Sequence, residues 1–325
     1  MKHFLTVLLT FLSIATVNAQ TSPNLRQGQV LTPAQWNALF AGKQDYTGGP
    51  TAPPRVRLLA PTTFYVAPPP TGNDTSDCLK TTTPCATLQR VADLIGASYD
   101  LQCQAVTISM AAGTYTANTT FGASWVGGCG TSSVPPVKIS GAGPTTIINA
   151  GSGVAINVGS VDGPPVVLGI EGVKFTGNSQ ALNVSDGSNV IITGSVEFTT
   201  TASNYHVSLT RKANFKMQSA YVISGGAAQG HINMVQNSTM QAAGCSGGCV
   251  YNLTSTPTFG TAFLIMNSNA TAALTSVSFT GSTAAPKFSV GYNAVLAVGG
   301  ATIPGSGCAV PYSTSGCINN GGQVQ

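Results

Sequence analysis

The sequence predicts an all-β solenoid of parallel strands with a short capping α-helix at its N-terminal end, and three observations carry that prediction. One phrase, Val173-Lys-Phe-Thr-Gly177, returns as Val196-Glu-Phe-Thr-Thr200, Tyr221-Val-Ile-Ser-Gly225, Val277-Ser-Phe-Thr-Gly281 and Ala301-Thr-Ile-Pro-Gly305. A second, Ala155-Ile-Asn-Val158, returns as Ala181-Leu-Asn-Val184, His206-Val-Ser-Leu209, His231-Ile-Asn-Met234, Phe263-Leu-Ile-Met266 and Phe288-Ser-Val-Gly291. Self-similarity at a fixed period of roughly two dozen residues marks a solenoid, whose repeats bury their apolar side only by stacking on each other. Third, Ala86–Ile95 carries Leu88, Val91, Leu94 and Ile95 at helical spacing just before the repeats begin. An amphipathic helix there covers the apolar residues and unpaired strand edge that an open solenoid end exposes.

In chain order, residues 1–19 read as a secretory signal. Lys2 and His3 form a basic start, Phe4–Ile14 an apolar run, and Val17-Asn-Ala19 a small-residue cleavage site. The run is shorter than the ~20 residues that span a bilayer. The expectation is an exported chain, in the extracellular space or periplasm or on a virion, with no membrane attachment after cleavage. Residues 20–63 form an arm. Within it Thr32 caps a short helix, Pro33 suits its first position, and Trp36, Leu39 and Phe40 share one face. That face either docks on the solenoid or meets copies of itself in an oligomer. Tyr46–Thr63, with its Gly and Pro clusters, is a linker. Residues 64–325 form the solenoid, with the helical cap and a C-terminal tail closed by disulfides.

The chain has 325 residues, 7% of them charged, against about 25% in an ordinary globular protein. Ser, Thr, Asn and Gly must therefore keep its surface in water. Its 13 basic residues give a net charge of +4 and are spread without dense clusters, which excludes a nucleic-acid footprint. Eight cysteines fall as near neighbours: Cys78 and Cys85, Cys103 and Cys129, Cys245 and Cys249, Cys308 and Cys317. They fit the oxidising context of an exported protein, although eight cysteines allow 105 pairings. Cys245-Ser-Gly-Gly-Cys249 lacks the second Cys or His pair of a metal site, so a disulfide is expected there. No metal or cofactor is called for.

The order Tyr65-Val66, Thr71-Gly-Asn-Asp74, Pro84-Cys-Ala-Thr-Leu-Gln89, Val106-Thr-Ile108, Gly113-Thr-Tyr115 resembles the entry of the pectate-lyase-like right-handed parallel β-helix superfamily. Gly28–Asn37 through Lys43-Gln-Asp45 resembles the N-terminal pieces of phage and prophage tail-fibre or tailspike-like proteins. The resemblance implies a right-handed parallel β-helix, a homotrimer, and a polysaccharide or cell-surface glycan as partner.

Alternation within the second phrase places Ile156 and Val158, Leu182 and Val184, Val207 and Leu209, Ile232 and Met234, Leu264 and Met266 inward. Asn183, His206, Ser208, His231 and Asn233 then face outward, with His206 and His231 as vertical neighbours about 4.8 Å apart. This column, with the basic knot Arg211-Lys212, is the candidate glycan-binding surface, since repeated side chains suit repeated sugars. Asn189, Asn214, Asn237, Asn269 and Asn293 read as corner residues. The lengthened period between His231 and Phe263 is assigned to an extra loop at Gly244–Tyr251.

A polysaccharide hydrolase needs two carboxylates about 5 to 9.5 Å apart. The rungs hold only Asp162, Glu171, Asp186 and Glu197, and Glu171 with Glu197, one rung apart in sequence, is the candidate pair. The Asn-x-Asp, Asp-Asp and Gly-His-Gly signatures of the polygalacturonase-like members are absent, as is an acidic cluster of the lyase type. The sequence thus favours a structural and glycan-binding protein, with a secreted polysaccharide lyase or glycoside hydrolase as the alternative.

Overall fold

The computed structural model describes residues 55–116, 118–131, 133–159, 164–242, 249–275, 277–306, 317–318 and 322–325. The signal segment, residues 20–54 of the arm with its Trp36 helix, Asp162, Cys245 and Cys308 lie outside them; the last residues of the expected linker form the strand Val56–Arg57 and the start of Thr62–Val66. The described chain is an all-parallel β-solenoid of about 7 turns. Its strands form three long sheets of ten, eight and seven strands, to each of which a complete rung contributes one strand, and a two-stranded sheet of Val56–Arg57 with Tyr99–Asp100.

The two phrases of the sequence build the smaller sheets. Strands Val173–Thr176, Val196–Phe198, Tyr221–Ile223 and Val277–Thr280 belong to the seven-stranded sheet, and Ile156–Val158 through Phe288–Val290 to the eight-stranded one. The inward columns follow the expected register: Ile156, Leu182, Val207, Ile232 and Leu264 stack, as do Val158, Val184, Leu209, Met234 and Met266, all buried. Stacking like on like buries each side chain between the rung below and the rung above, so apolar burial is continuous along the axis.

Two expectations change here. The ten-stranded sheet is a third strand per rung, in places read as turn: Asn189–Ile192, Asn214–Met217, Thr239–Ala242 and Thr271–Leu274 pair in succession. The lengthened period holds a regular strand as well. Cys249–Leu253 pairs with Tyr221–Ile223 on one side and Val277–Thr280 on the other, so these residues are part of the ladder and not of a projecting loop. In contrast, Ala301–Gly305, the last copy of the first phrase, forms no strand, although Ile303 is buried.

The cap is helix α1, Leu88–Ser98, started by Thr87, whose hydroxyl accepts from the Arg90 amide at 3.2 Å. Leu88, Val91, Ala92, Ile95 and Gly96 are its buried face. It packs against Thr119–Phe121, the terminal strand of the eight-stranded sheet. The Gln89 carboxamide there stands in for a missing rung. Its Oε1 accepts from the Thr120 amide at 2.7 Å and its Nε2 donates to the Thr120 carbonyl at 3.3 Å. One side chain thus satisfies the exposed strand edge. Arg55 closes the other end of α1, donating to the carbonyls of Gly96 and Tyr99 at 2.7 and 3.0 Å.

Disulfides join Cys78 to Cys85 and Cys103 to Cys129, as the neighbour pairing expects, and Cys249 is disulfide-bonded. Beyond Cys129 the chain folds over the outside of the ten-stranded sheet. Pro135 lies on Gly169, where a Cβ would come within 2.6 Å of its ring, and Lys216 donates to Ser133 Oγ at 2.7 Å. No helix among the described residues is long and apolar enough to cross a membrane.

Candidate functional site

The predicted surface divides into two parts that the fold treats in opposite ways. The first is the outward column of the eight-stranded sheet: Asn157, Asn183, Ser208, Asn233, Ile265 and Ser289 are in register. Asn183 Nδ2 donates to Asn157 Oδ1 at 3.2 Å, the amide ladder that equal side chains one rung apart make. The column is nevertheless poorly accessible, with Ser208 7% and Asn233 9% exposed.

His206 and His231 do not belong to that surface at all. Both are 0% exposed, as are Ala155 and Ala181 at the equivalent positions, and Phe263 is 3% exposed. Alternation fails because these residues sit at the corner where the chain enters the strand. His206 and Val207 are consecutive and both buried, so two neighbouring side chains fill the wedge between the seven- and eight-stranded sheets. The ring of His206 stacks on Phe198 at 5.9 Å, and His231 stacks on Phe263 at 5.1 Å. His206 Nδ1 and His231 Nδ1 are 2.8 Å apart. His206 Nε2 lies 3.0 Å from the Thr200 carbonyl and 2.9 Å from that of Gly226, and Tyr221 Oη lies 2.9 Å from His231 Nε2. Burial pushes His206 down to about 4 and holds His231 well below the usual imidazole range. A buried pair in contact with aromatic rings and backbone has no access to a glycan.

The second part, Arg211-Lys212, belongs to an edge that was legible only in fragments. After Val184, Leu209, Met234, Met266 and Val290 the chain makes the same two-residue turn, with both central residues in the left-handed region. These are Asp186 (φ 58) and Gly187 (74), Arg211 (49) and Lys212 (63), Gln236 (57) and Asn237 (61), Ser268 (55) and Asn269 (61), and Tyr292 (50) and Asn293 (61). Two consecutive positive φ values with a closing hydrogen bond define a type I′ turn. That bond runs from Ser188 to Ser185, Ala213 to Thr210, Ser238 to Val235, Ala270 to Asn267 and Ala294 to Gly291, at 3.0 to 3.3 Å. The residue after each turn is Ser or Ala, 0% exposed, because only a small side chain fits under the corner.

The turns are also bonded rung to rung. The amides of Gly187, Lys212, Asn237 and Asn269 donate to the carbonyls of Arg211, Gln236, Ser268 and Tyr292 at 2.9 to 3.0 Å. The result is a continuous edge whose side chains point to solvent: Arg211, Lys212, Gln236, Asn237, Ser268, Asn269, Tyr292 and Asn293 are all exposed. Five turns at about 4.8 Å spacing span roughly 19 Å. A shallow groove of about 530 Å³ lies along it, lined by Pro165, Asp186, Gly187, Arg211, Lys212, Gln236 and Asn237. Arg211 Nη2 donates to Asp186 Oδ2 at 3.0 Å, which fixes the guanidinium along the edge and holds the Asp186 carboxyl below the usual range. Asn237, Asn269 and Asn293 are thus corner residues as expected. Asn189 and Asn214 are not equivalent to them: they open the next strand, pairing with each other and, through Asn214, with Thr239.

Glu171 and Glu197, one rung apart in sequence, lie in different sheets. Glu171 ends a strand of the ten-stranded sheet, whereas Glu197 lies in the seven-stranded one. Burial pushes the Glu171 carboxyl up, but hydrogen bonds from Lys138, Ser140 and Thr193 outweigh it and leave it lowered. Burial likewise raises Glu197, and bonds from Ser224, Lys174 and Thr199 more than reverse it. A glycosidase acid must hold its proton near neutral pH, which needs a raised carboxyl. Both carboxylates here are ionised and tied to lysines. Among the described residues no group of three or more His, Cys, Asp or Glu side chains could hold a metal ion.

A scan of protein-family models finds none that matches this chain, and comparison with curated proteins and with solved structures likewise returns no match.

Proposed function

We propose that the chain is an exported β-helical structural and glycan-binding module, of the kind found in phage tail fibres and tailspikes within the pectate-lyase-like superfamily, and that it works as a homotrimer on anionic cell-surface polysaccharide. The observation that carries the reading is the exposed edge of type I′ turns. Lys212, with Arg211 beside it in an ion pair to Asp186, supplies charge on one rung, and the amides of Gln236, Asn237, Asn269 and Asn293 and the ring of Tyr292 offer hydrogen bonding and stacking on the rungs that follow. A polymer with a repeated carboxylate or sulfate can meet that edge at several rungs at once, so weak contacts add. Disulfides at Cys78–Cys85 and Cys103–Cys129 support export, because such bonds persist in oxidising compartments. The signal-like start of the sequence supports it too.

Binding is favoured over cleavage because the described carboxylates within the rungs are held ionised. The test is a screen of the purified protein against acidic bacterial surface polysaccharides that records retention and the release of reducing or unsaturated ends. Retention without release is the expected result. Release of new ends shows an enzyme and overturns the binding-module reading; no retention of any acidic polymer overturns the glycan reading.

A further inference from the structure

The proton positions in the buried histidine pair are set by its surroundings. Carbonyl oxygens only accept, so His206 Nε2 must carry a hydrogen to bond Thr200 and Gly226. A neutral His206 then offers Nδ1 as an acceptor, and His231 Nδ1–H donates to it. His231 Nε2 is left as an acceptor for the Tyr221 hydroxyl. The chain Tyr221 to His231 to His206 to backbone therefore runs in this direction with both rings neutral. A proton added at His206 Nδ1 forces His231 into the other tautomer, turns its Nε2 into a donor against the Tyr221 hydroxyl and leaves a cation among aromatic rings. One added at His231 Nε2 displaces the Tyr221 hydrogen and leaves a cation in an aromatic cage.

No counter-charge is available to that cation. From the strands and corners packed against the pair, the titratable side chains that face it are Tyr221 and Tyr251, which burial keeps protonated. Glu197, the one charged residue on those strands, is bound by Lys174 at 3.1 Å and is about one-fifth exposed, on the other face. The Thr200 and Tyr251 hydroxyls, which have no hydrogen-bond partner, are neutral and supply no counter-charge. The pair also stands alone. The chain has three histidines, His3, His206 and His231, so residues 64–205 contain none.

We infer that His206, His231 and Tyr221 form an acid-sensitive joint in the middle of the solenoid, which holds the rungs together at neutral pH and lets the segment from Thr200 to Phe263 open when the pair takes up a proton. The N-terminal rungs keep their packing under the same conditions. With burial pushing His206 down to about 4 against about 6.5 in an open chain, His206 alone raises the open population by about 30-fold at pH 5. Such a device suits a protein that must change shape on passing from a neutral to an acidic compartment.

Amide hydrogen exchange on the intact protein between pH 7 and 4, corrected for intrinsic rates, tests this directly. The expected result is a loss of protection confined to Thr200–Phe263, with Val106–Val184 unchanged. Uniform loss, or no loss down to pH 4, overturns the inference. Nitrogen NMR of labelled histidine must show His206 carrying its proton on Nε2 and His231 on Nδ1; folded-state titration of either ring near pH 6.5 is a second way to overturn it. Tyr221→Phe keeps the ring and removes the donor to His231, so it should move the onset of opening to higher pH. An unchanged onset in a folded Tyr221→Phe protein contradicts the joint.

Discussion

The outward face of the eight-stranded sheet and the turn edge that follows it run through the same rungs, yet one is mostly shielded from solvent and the other mostly open to it. Asn183, Ser208 and Asn233 lie on a flat ladder where each side chain is shielded by its neighbours above and below. Arg211, Lys212, Asn237 and Tyr292 sit on left-handed turns that lift them off the sheet. At the opposite end of the same strands, the corner turns inward and takes His206 and His231 into the core. The lesson is that strand alternation describes the middle of a rung, while the corners decide what reaches solvent and what is buried.

The inner corner is where substitution should cost most. Phe198 stacks on Phe175 and His206 and meets Tyr221 and His231 edge-on, so Phe198→Ala should destabilise by about 3–5 kcal/mol, read as a fall in the urea midpoint. A loss below about 1 kcal/mol would mean that the wedge repacks freely. Acid acts on the same corner. His206 is lowered in the fold, so the open chain binds more protons and stability falls as pH drops from about 6.5 through about 4. The loss for His206 reaches about 3 kcal/mol at the acid limit, and replacing both rings with Phe should remove the slope. Glu171 and Glu197 contribute in the other window: their carboxyls are lowered, so their stabilisation is present above the ordinary carboxylate range and fades on further acidification.

Away from the corners the expected effects shrink. Removing the Cys103–Cys129 disulfide, which closes a separation of 26 residues, should cost about 3 kcal/mol through loop entropy and loosen the segment that carries Ser133 and Pro135 over the ten-stranded sheet. On the turn edge, Arg211→Ala should cost about 1 kcal/mol, because the Arg211 end of its ion pair with Asp186 is half-exposed. Lys212→Asn places at φ 63 the residue used in three later turns and should stabilise by a few tenths of a kcal/mol, or about 0.3. A clear destabilisation by Lys212→Asn would show that the lysine stem packs along the edge.

The inward columns, the solenoid period and the capping helix were legible because apolar alternation and helical spacing persist for several residues. The strands of the ten-stranded sheet were harder to see. Asn189-Val-Ile-Ile192 and Thr239-Met-Gln-Ala242 are four residues long and begin straight after a turn, so they read as its continuation. The burial of His206 left no trace in the sequence, since polarity at an alternate position normally means solvent, and its partners His231, Thr200 and Gly226 come from other corners. The turn edge did carry a signal that the asparagines alone obscured. Counting from each inward residue, Val184, Leu209, Met234, Met266 and Val290, the fourth residue along is Ser or Ala and the pair before it is the turn. That spacing aligns Arg211-Lys212 with Gln236-Asn237 and separates Asn214 from both.

The most direct test of the contrast between the two faces is the affinity of one retained acidic polysaccharide for three folded proteins: the native chain, Arg211→Ala/Lys212→Ala, and Asn183→Ala/Ser208→Ala. The account predicts at least about a tenfold loss for the turn-edge variant, equivalent to about 1.4 kcal/mol, and native affinity for the sheet-face variant. Loss in Asn183→Ala/Ser208→Ala with binding intact in Arg211→Ala/Lys212→Ala would place the glycan on the sheet and contradict it.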